Sequence, residues 1–312
     1  MTATPAPPRL RMGVDVGGTK MEGVVLDAGG GEVWRRRVGT PRGDYAESLA
    51  VVAALVKAAE GGLGCGAGGA SVGLGIPGCI SPASGVVKNA NSTWMNGRAM
   101  DRDLARILGR AVRVENDANC LAVSEAVDGA AAGAKVALAL ILGTGAGAGI
   151  AIGGRAHRGR HVIAGEWGHN PLPWADEREI ADAETCFCGK RGCMETWVSG
   201  SGVARDYRRA TGRTLGADEI IGRMRGGEGE AAECYRRFLS RLARGVAAVI
   251  NILDPDVIVL GGGLSRVEEI YRDLPAELPG WVFSDECTTP VRPALHGDAS
   301  GVRGAAWLWN DD

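Results

Sequence analysis

Aromatic residues are scarce in this chain of 312 residues, and neither sign of charge is in clear excess. Phe, Trp and Tyr together make up 5% of the sequence, and the formal net charge is −2. A nearly neutral chain has no overall basic field that would attract nucleic acid or a membrane surface. No apolar run is long enough to cross a bilayer. We therefore expect small-molecule partners, with no nucleic acid and no membrane among them.

Glycine, by contrast, is abundant, with 50 residues and no strict period. This composition is typical of many tight turns and close backbone approaches, and it excludes a fibrous repeat. The first residues, MTATPAPPRL, form a Pro-rich lead-in without the apolar core of a secretory signal peptide. Eight cysteines without an export signal favour a reducing compartment, so we expect a cytoplasmic protein without disulfides.

Three of the cysteines lie in one short stretch. Cys186, Cys188 and Cys193 surround a Gly-Lys-Arg-Gly turn, and His169 lies upstream. Three thiolates and one imidazole make a tetrahedral zinc site, and four protein ligands leave no position for a substrate, so the ion would be structural. The alternative is a group of buried, unpaired thiols near a surface histidine. We expect structural Zn²⁺ and a loop that loosens without it.

A strand–turn–strand pattern occurs twice, once near the start of each half of the chain. The first copy runs from Met12 to Leu26 and the second from Val136 to Ile152. Such an internal echo indicates two related lobes that face each other across a cleft. Helical spacing over residues 44–60 and 230–253, interspersed with strands, predicts that the fold is α/β.

Each copy contains a Gly-rich turn that directly follows a strand. Such turns bring backbone N–H groups close to phosphate oxygens, so the pair fits a nucleoside triphosphate. The chain has no Walker-A motif, and its second turn does not spell the dinucleotide fingerprint. Asp15 would hold Mg²⁺ through water and Lys20 would neutralise phosphate charge. Alternatively, the turns are plain hairpin bends and Lys20 is a surface lysine. The predicted phosphate-binding residues are Asp15, Gly17, Gly18, Thr19 and Lys20 in the first turn and Gly143, Thr144, Gly145 and Gly147 in the second.

Asp117 follows a predicted strand and precedes a predicted helix. Its plainest interpretation is a helix cap. Asn116 can cap equally well, and Asp117 would then be a carboxylate held ionised by the helix dipole, as a general base must be. The sequence does not decide between these two roles.

Seven motifs, in order over nearly the whole chain, together resemble the ROK family of bacterial sugar kinases and repressors. They are Asp15-x-Gly-Gly-Thr-Lys20, Gly75-Ile76-Pro77-Gly78, Asn91-x-x-Trp94, Glu115-Asn116-Asp117-Ala118-Asn119, Gly143-Thr144-Gly145, Gly165-Glu166-x-Gly168-His169 and Cys186-x-Cys188-Gly189-x-x-Gly192-Cys193-x-Glu195. The resemblance implies an actin-like ATPase fold, related to ribonuclease H, whose two lobes surround a central cleft. The smaller lobe would comprise residues 1–117 and 298–312, and the larger lobe residues 118–297. ATP, Mg²⁺ and a homodimer are also implied.

Several stretches resemble the fructokinases of this family. The implied reaction is phosphorylation of a hexose at the 6-hydroxyl, with D-fructose giving fructose 6-phosphate. The resemblance makes Asp117 the base that accepts the proton of that hydroxyl, places Gly262 on the adenosine side, and gives His169 both zinc and sugar to bind. The implied sugar ligands are Gly78, Asn91, Asn116, Glu166, His169 and Glu195.

Other functions stay open at this point. The long insert Pro171–Thr185 lies beside the sugar loop, so mannose, glucose or an N-acetylated amino sugar are alternative substrates. A sugar-responsive repressor would need a DNA-reading domain, and we expect the fourteen residues before Asp15 to be too few for one. A zinc-held sugar-binding scaffold without catalysis is a third alternative.

Overall fold

A computed structural model describes residues 10–310, so residues 1–9 of the Pro-rich lead-in lie outside the described part of the chain. The strands are β1 (Leu10–Val16), β2 (Lys20–Leu26), β3 (Glu32–Gly39), β4 (Ala70–Ile76), β5 (Cys79–Ile80), β6 (Val87–Lys88), β7 (Val112–Asn116), β8 (Val136–Leu142), β9 (Ala146–Ile152), β10 (Arg155–Ala156), β11 (Val257–Gly261) and β12 (Val291–Pro293). The α-helices are α1 (Tyr45–Leu63), α2 (Met100–Leu108), α3 (Asp117–Asp128), α4 (Glu177–Asp182), α5 (Glu195–Val198), α6 (Gly200–Thr211), α7 (Ala217–Arg225), α8 (Gly229–Leu253), α9 (Glu269–Glu277) and α10 (Ser300–Trp307).

Of the described residues, the first of two compact units contains 10–128, the segment Arg155–Ala164 and 299–310. Its main sheet has the strand order β3-β2-β1-β4-β7. β1 pairs antiparallel with β2 and parallel with β4, and β4 pairs parallel with β7. Helix α1 begins at an Asp44 cap and adds Val52 and Val56 to the buried core of this sheet.

Within this unit, helix α10 packs against β1, β4 and α3 with almost no space between the backbones. A Cβ atom at Gly13 of β1 would collide with the carbonyl oxygen of Val302, and one at Gly73 of β4 would collide with that of Ala305. Gly304 of α10 approaches α3 equally closely at Cys120. Only glycine allows this approach, because any side chain would push the elements apart.

The second unit contains residues Gly129–Gly154 and Gly165–Asp298. Its strands run in the order β9-β8-β11-β12. β8 pairs antiparallel with β9 and parallel with β11, and β11 pairs parallel with β12. This pattern repeats that of β2-β1-β4-β7, as the echo in the sequence suggested. The long helix α8 forms much of the core, where Leu242 and Val246 belong to one cluster with Leu140 of β8.

The predicted α/β class is confirmed by these two sheets and the helices that flank them. The predicted smaller lobe ends at Asp117, whereas the first unit also contains helix α3, which packs against α10, and the segment Arg155–Ala164. Among the described helices, none is both long enough and apolar enough to cross a membrane.

Candidate active site

The first predicted phosphate turn connects β1 to β2. Asp15 lies near the end of β1, residues 17–19 form the turn, and Lys20 begins β2. The pKa of Asp15 is raised from 3.8 to about 7, first by burial and then by the negative charge of Asp117, while Lys20 opposes the rise. The fold therefore brings Asp15, Lys20 and Asp117 close together. A divalent cation would relieve the repulsion between the two carboxylates, so these residues fit Mg²⁺.

Asn116 ends β7 and Asp117 begins α3. The Oδ1 atom of Asn116 accepts hydrogen bonds from the backbone N–H groups of Ala118 at 2.9 Å and Asn119 at 3.3 Å, so Asn116 caps the helix. Asp117 is half-buried, and its Oδ1 also accepts a hydrogen bond from the Ala118 N–H, at 2.8 Å. Asn116 thus caps α3 through two N–H groups, and Asp117 shares one of them.

Gly78 lies in the turn from β4 to β5 with φ +104°. A Cβ atom there would lie 2.5 Å from the carbonyl oxygen of Lys88, so this position requires glycine. The carbonyl oxygen of Gly78 accepts a hydrogen bond from Asn116 Nδ2 at 3.2 Å. Two predicted sugar ligands are therefore in direct contact, whereas Asn91 lies in the loop after β6 and is exposed.

Glu115 is a neighbour of these residues to which the sequence assigned no role. Its buried carboxylate accepts hydrogen bonds from the Asn116 N–H at 2.8 Å, from Asn119 Nδ2 at 3.0 Å and from Arg158. A buried carboxylate with three donors fixes the backbone at Asn116. The position of Glu115 directly before Asn116 and Asp117 is visible in the sequence. Its partner Arg158 is not, because it is 43 residues away in the segment Arg155–Ala164.

The second unit brings together the four predicted zinc ligands. The ligand atoms of His169, Cys186, Cys188 and Cys193 all lie within 4.8 Å of one another. Cys186 Sγ is 3.5 Å from His169 Nδ1, and Cys188 Sγ is 3.5 Å from Cys193 Sγ. Zinc–sulfur bonds of about 2.3 Å place tetrahedral ligands roughly 3.8 Å apart, so the cluster has the size and donors that Zn²⁺ requires. We call residues 186–193 with His169 the knuckle.

The predicted sugar ligands of the second unit lie around the knuckle. His169 Nε2, the ring nitrogen not facing the thiols, is 4.0 Å from Glu166 Oε2. Glu195 begins α5, and its Oε1 is 3.6 Å from Cys186 Sγ. Its Oε2 accepts a hydrogen bond from the Ala146 N–H at 3.3 Å. Glu195 thus connects the knuckle to the second predicted phosphate turn, where a Cβ at Gly145 would collide with its carboxylate.

Both ends of the insert Pro171–Thr185 pair with the knuckle. Pro171 forms a β-bridge with Cys193, and Thr185 forms one with Arg191. The Gly192 N–H donates to the carbonyl oxygen of Glu184 at 2.9 Å. The insert and the knuckle are therefore one connected substructure.

The middle of the insert is attached to α8 by buried ion pairs. Glu179 of α4 accepts hydrogen bonds from Arg241 at 2.8 Å and from both terminal nitrogens of Arg244 at 2.7 and 2.8 Å. Burial alone would raise the pKa of Glu179, but the Arg244 and Arg241 guanidinium groups lower it to about 2. Arg244 also donates to the carbonyl oxygens of Pro173 and Trp174.

A cavity of about 550 Å³ lies between the second predicted phosphate turn and the predicted adenosine side. Its lining includes Gly143 and Thr144 on one side and Gly263 on the other. Gly262 has φ +83°, and a Cβ there would lie 2.7 Å from the carbonyl oxygen of Leu142, so the two turns nearly touch. The fold of the second unit therefore groups the second predicted phosphate turn with the turn predicted for the adenosine side.

Two helix starts that were not predicted complete this cavity. Ser201 of α6 lines it, and its hydroxyl donates to the carbonyl oxygen of Thr144 at 2.9 Å. Asp218 of α7 also lines it. The run Ser199–Gly202 was the local signal for the first of these helix starts, since Ser199 caps α6.

Comparisons with known proteins agree on one family. The model of the ROK family matches residues 11–312. The N-acetyl-D-glucosamine kinase of Pectobacterium atrosepticum is 42% identical over 300 residues, which cover 95% of this chain and 97% of that protein. The crystal structure of the ROK hexokinase from Thermus thermophilus has a TM-score of 0.84 at 30% identity, covering 96% of this chain and 97% of that one.

A further solved structure is informative for its ligands. The ROK family glucokinase from Streptomyces griseus, in complex with glucose and AMPPNP, has a TM-score of 0.77 at 27% identity and covers 97% of this chain and 100% of that one. The sequence motifs had pointed to fructose. The Pectobacterium relative is instead named for N-acetyl-D-glucosamine, which agrees with the N-acetylated amino-sugar alternative and not with a fructokinase.

Proposed function

The chain belongs to the ROK family, and on that premise we propose that it is an ATP-dependent sugar kinase that phosphorylates N-acetyl-D-glucosamine at the 6-hydroxyl. The observation that carries the choice of sugar is the 42% identity to an N-acetyl-D-glucosamine kinase over 95% of the chain. The geometry supports the reaction class, because each unit presents a glycine turn between the two strands of an antiparallel pair, with polar residues grouped beside it.

In this proposal, the first unit supplies the general base. Asp117 accepts the proton of the sugar 6-hydroxyl as that oxygen attacks the γ-phosphorus of ATP, the bond from this phosphorus to the bridging oxygen breaks, and ADP leaves. Asn116 caps α3 and Glu115 fixes the adjoining backbone, so the carboxylate of Asp117 is held in position. Mg²⁺, when bound by Asp15, neutralises phosphate charge. Lys20 and the N–H groups of the turn hold the donor phosphates, because phosphoryl transfer requires mainly alignment and charge neutralisation.

The second unit supplies ligands for the sugar and the nucleotide. We assign Glu166, His169 Nε2 and Glu195 to sugar hydroxyls, and the cavity beside Gly143 and Gly263 to adenosine. Zn²⁺, when bound by the knuckle, contributes rigidity and leaves no open coordination position for chemistry. Since Nδ1 of His169 faces the thiols, metal binding fixes the ring and the direction of Nε2.

A panel of sugars with coupled ADP detection tests the proposal. We expect kcat/KM for N-acetyl-D-glucosamine to exceed that for glucose, mannose and fructose by at least about tenfold, since a site built around an acetamido group leaves polar groups unpaired with the other sugars. A preference for fructose would refute the choice of substrate. ADP formation that no sugar stimulates would favour the scaffold alternative over a kinase.

The base assignment has its own test. Asp117→Asn should lower kcat at least about a hundredfold with little change in sugar affinity, because the amide keeps the shape but cannot accept the proton. Asp285→Asn, at an exposed position, is the control and should keep full activity. If Asp117→Asn phosphorylates the sugar at the normal rate, another group is the base.

A further inference from the structure

The segment that follows β3 contacts the first phosphate turn at three successive carbonyl groups. The Thr40 hydroxyl donates to the carbonyl oxygen of Gly17 at 2.7 Å, and the Thr40 N–H donates to that of Thr19 at 3.1 Å. Between them, Arg42 Nε donates to the carbonyl oxygen of Gly18 at 2.9 Å. Every carbonyl from Gly17 to Thr19 is therefore occupied by Thr40 or Arg42.

These contacts fix the direction of the amide groups in the turn. In a trans peptide the C=O of one residue and the N–H of the next point in opposite directions, and no cis peptide bond occurs among the described residues. The N–H groups of Gly18, Thr19 and Lys20 consequently point away from the groups that hold the preceding carbonyls. Outward amides attract phosphate oxygens, whereas outward carbonyl oxygens would repel them.

Arg42 also brings a positive charge to the turn. A terminal nitrogen of its guanidinium donates to the Thr19 hydroxyl at 2.8 Å, in addition to the bond from Nε to Gly18. Two donors of one planar group are thereby fixed to adjacent residues. The side chain is exposed, and its guanidinium lies on the carbonyl side of the turn.

We propose that Thr40 and Arg42 are positioning residues for the phosphoryl donor. They hold the carbonyl groups of the turn on one side, which leaves its amides directed at the phosphates on the other side. The inference rests on the proposed function, because it takes the turn to bind the phosphates of ATP. Neither residue is assigned a contact with the sugar.

The test compares Arg42→Ala, Arg42→Lys and Thr40→Val with the wild-type protein. Loss of a charged hydrogen bond typically changes an equilibrium by about tenfold or more, so Arg42→Ala should raise the KM for ATP about tenfold while the KM for the sugar stays within about twofold. Thr40→Val should act in the same direction. Arg42→Lys should recover part of the loss, because lysine keeps one charged donor to the turn without the planar pair of donors. Arg36→Ala, at an exposed position of β3, is the matched control and should leave both constants unchanged.

Calorimetry with a non-hydrolysable ATP analogue gives a readout independent of turnover. The Arg42→Ala protein should bind the analogue about tenfold more weakly than wild type and bind the sugar normally. Equal affinity for the analogue, or an equal loss of sugar binding, would overturn the inference. If wild type shows no kinase activity with any sugar, the proposed function fails, whereas analogue binding still decides the role of Arg42. If Arg42→Ala does not fold, Thr40→Val and Arg42→Lys give the same comparison.

Discussion

Replacing Glu179 by alanine should release the insert from α8 and loosen the knuckle to which both ends of the insert are paired. The carboxylate is only 7% exposed and is the shared acceptor of Arg241 and Arg244. Its removal leaves two buried guanidinium groups short of a partner. Arg241 keeps Asp206 at 2.7 Å, and Arg244 keeps backbone carbonyl groups, so neither charge is left entirely without hydrogen bonds.

The expected loss of stability is about 3 kcal/mol, at the lower end of the cost of breaking a buried ion pair. The pKa of Glu179 leads to a similar magnitude, because a decrease from 4.5 to about 2 corresponds to about 3 kcal/mol. The sign follows from linkage. Since the folded-state pKa lies below the unfolded value, this stability is fully present above pH 4.5 and is lost as the pH falls toward 2.

Urea denaturation at pH 7, with zinc equally supplied to all samples, measures the effect. Glu177→Ala is the matched control, because Glu177 lies on the same helix and is exposed. Glu179→Ala should unfold at clearly lower urea and release zinc to a chelator faster than the control. The difference in stability between wild type and Glu179→Gln should shrink as the pH is lowered from 5 to 3. If the Glu179 and Glu177 variants behave alike, the ion pairs do not hold the insert.

Two further predictions concern the metal and the helix cap. The purified protein should contain about one zinc per chain by elemental analysis. Cys188→Ser or prolonged chelation should lower the metal content and raise the KM for the sugar. A metal-free wild type with normal kinetics would contradict the zinc assignment. Asn116→Ala should cost about 1 kcal/mol of stability through the lost cap, while Asp117→Asn should stay within about 0.5 kcal/mol of wild type. If thermal unfolding shows Asp117→Asn to be the less stable of the two variants, Asp117 is the cap.

Sequence patterns predicted the structural features that are determined by residues close together in the sequence. The glycine turn before Lys20 and the cysteines of the knuckle are local motifs, and the chain alone was enough to group them. Strand and helix periodicity likewise predicted the α/β class and the repeated strand–turn–strand pattern. Whether Asn116 or Asp117 caps α3 was not predictable, because both residues have the right chemistry and the choice depends on side-chain direction.

Features that depend on distant partners were not predicted. Glu179 and Arg244 are 65 residues apart, and Glu115 and Arg158 are 43 apart, with no pattern near either member that announces the other. Arg42 likewise contacts the first predicted phosphate turn at Gly18, which is 24 residues away in the sequence. Charged residues of this kind are common on solvated surfaces, so only the fold distinguishes them.

The close packing of α10 against β1 and β4 has a consequence for folding during synthesis on the ribosome. β1 and β4 leave the ribosome well before α10, the helix that closes over Gly13 and Gly73, because α10 lies far behind them in the sequence. At about 5 to 20 residues per second, the ribosome needs roughly 15 to 60 seconds to travel from one to the other. During that interval the backbone of the nascent sheet at Gly13 and Gly73 is exposed, and it is buried only when the helix at residues 300–307 has been made.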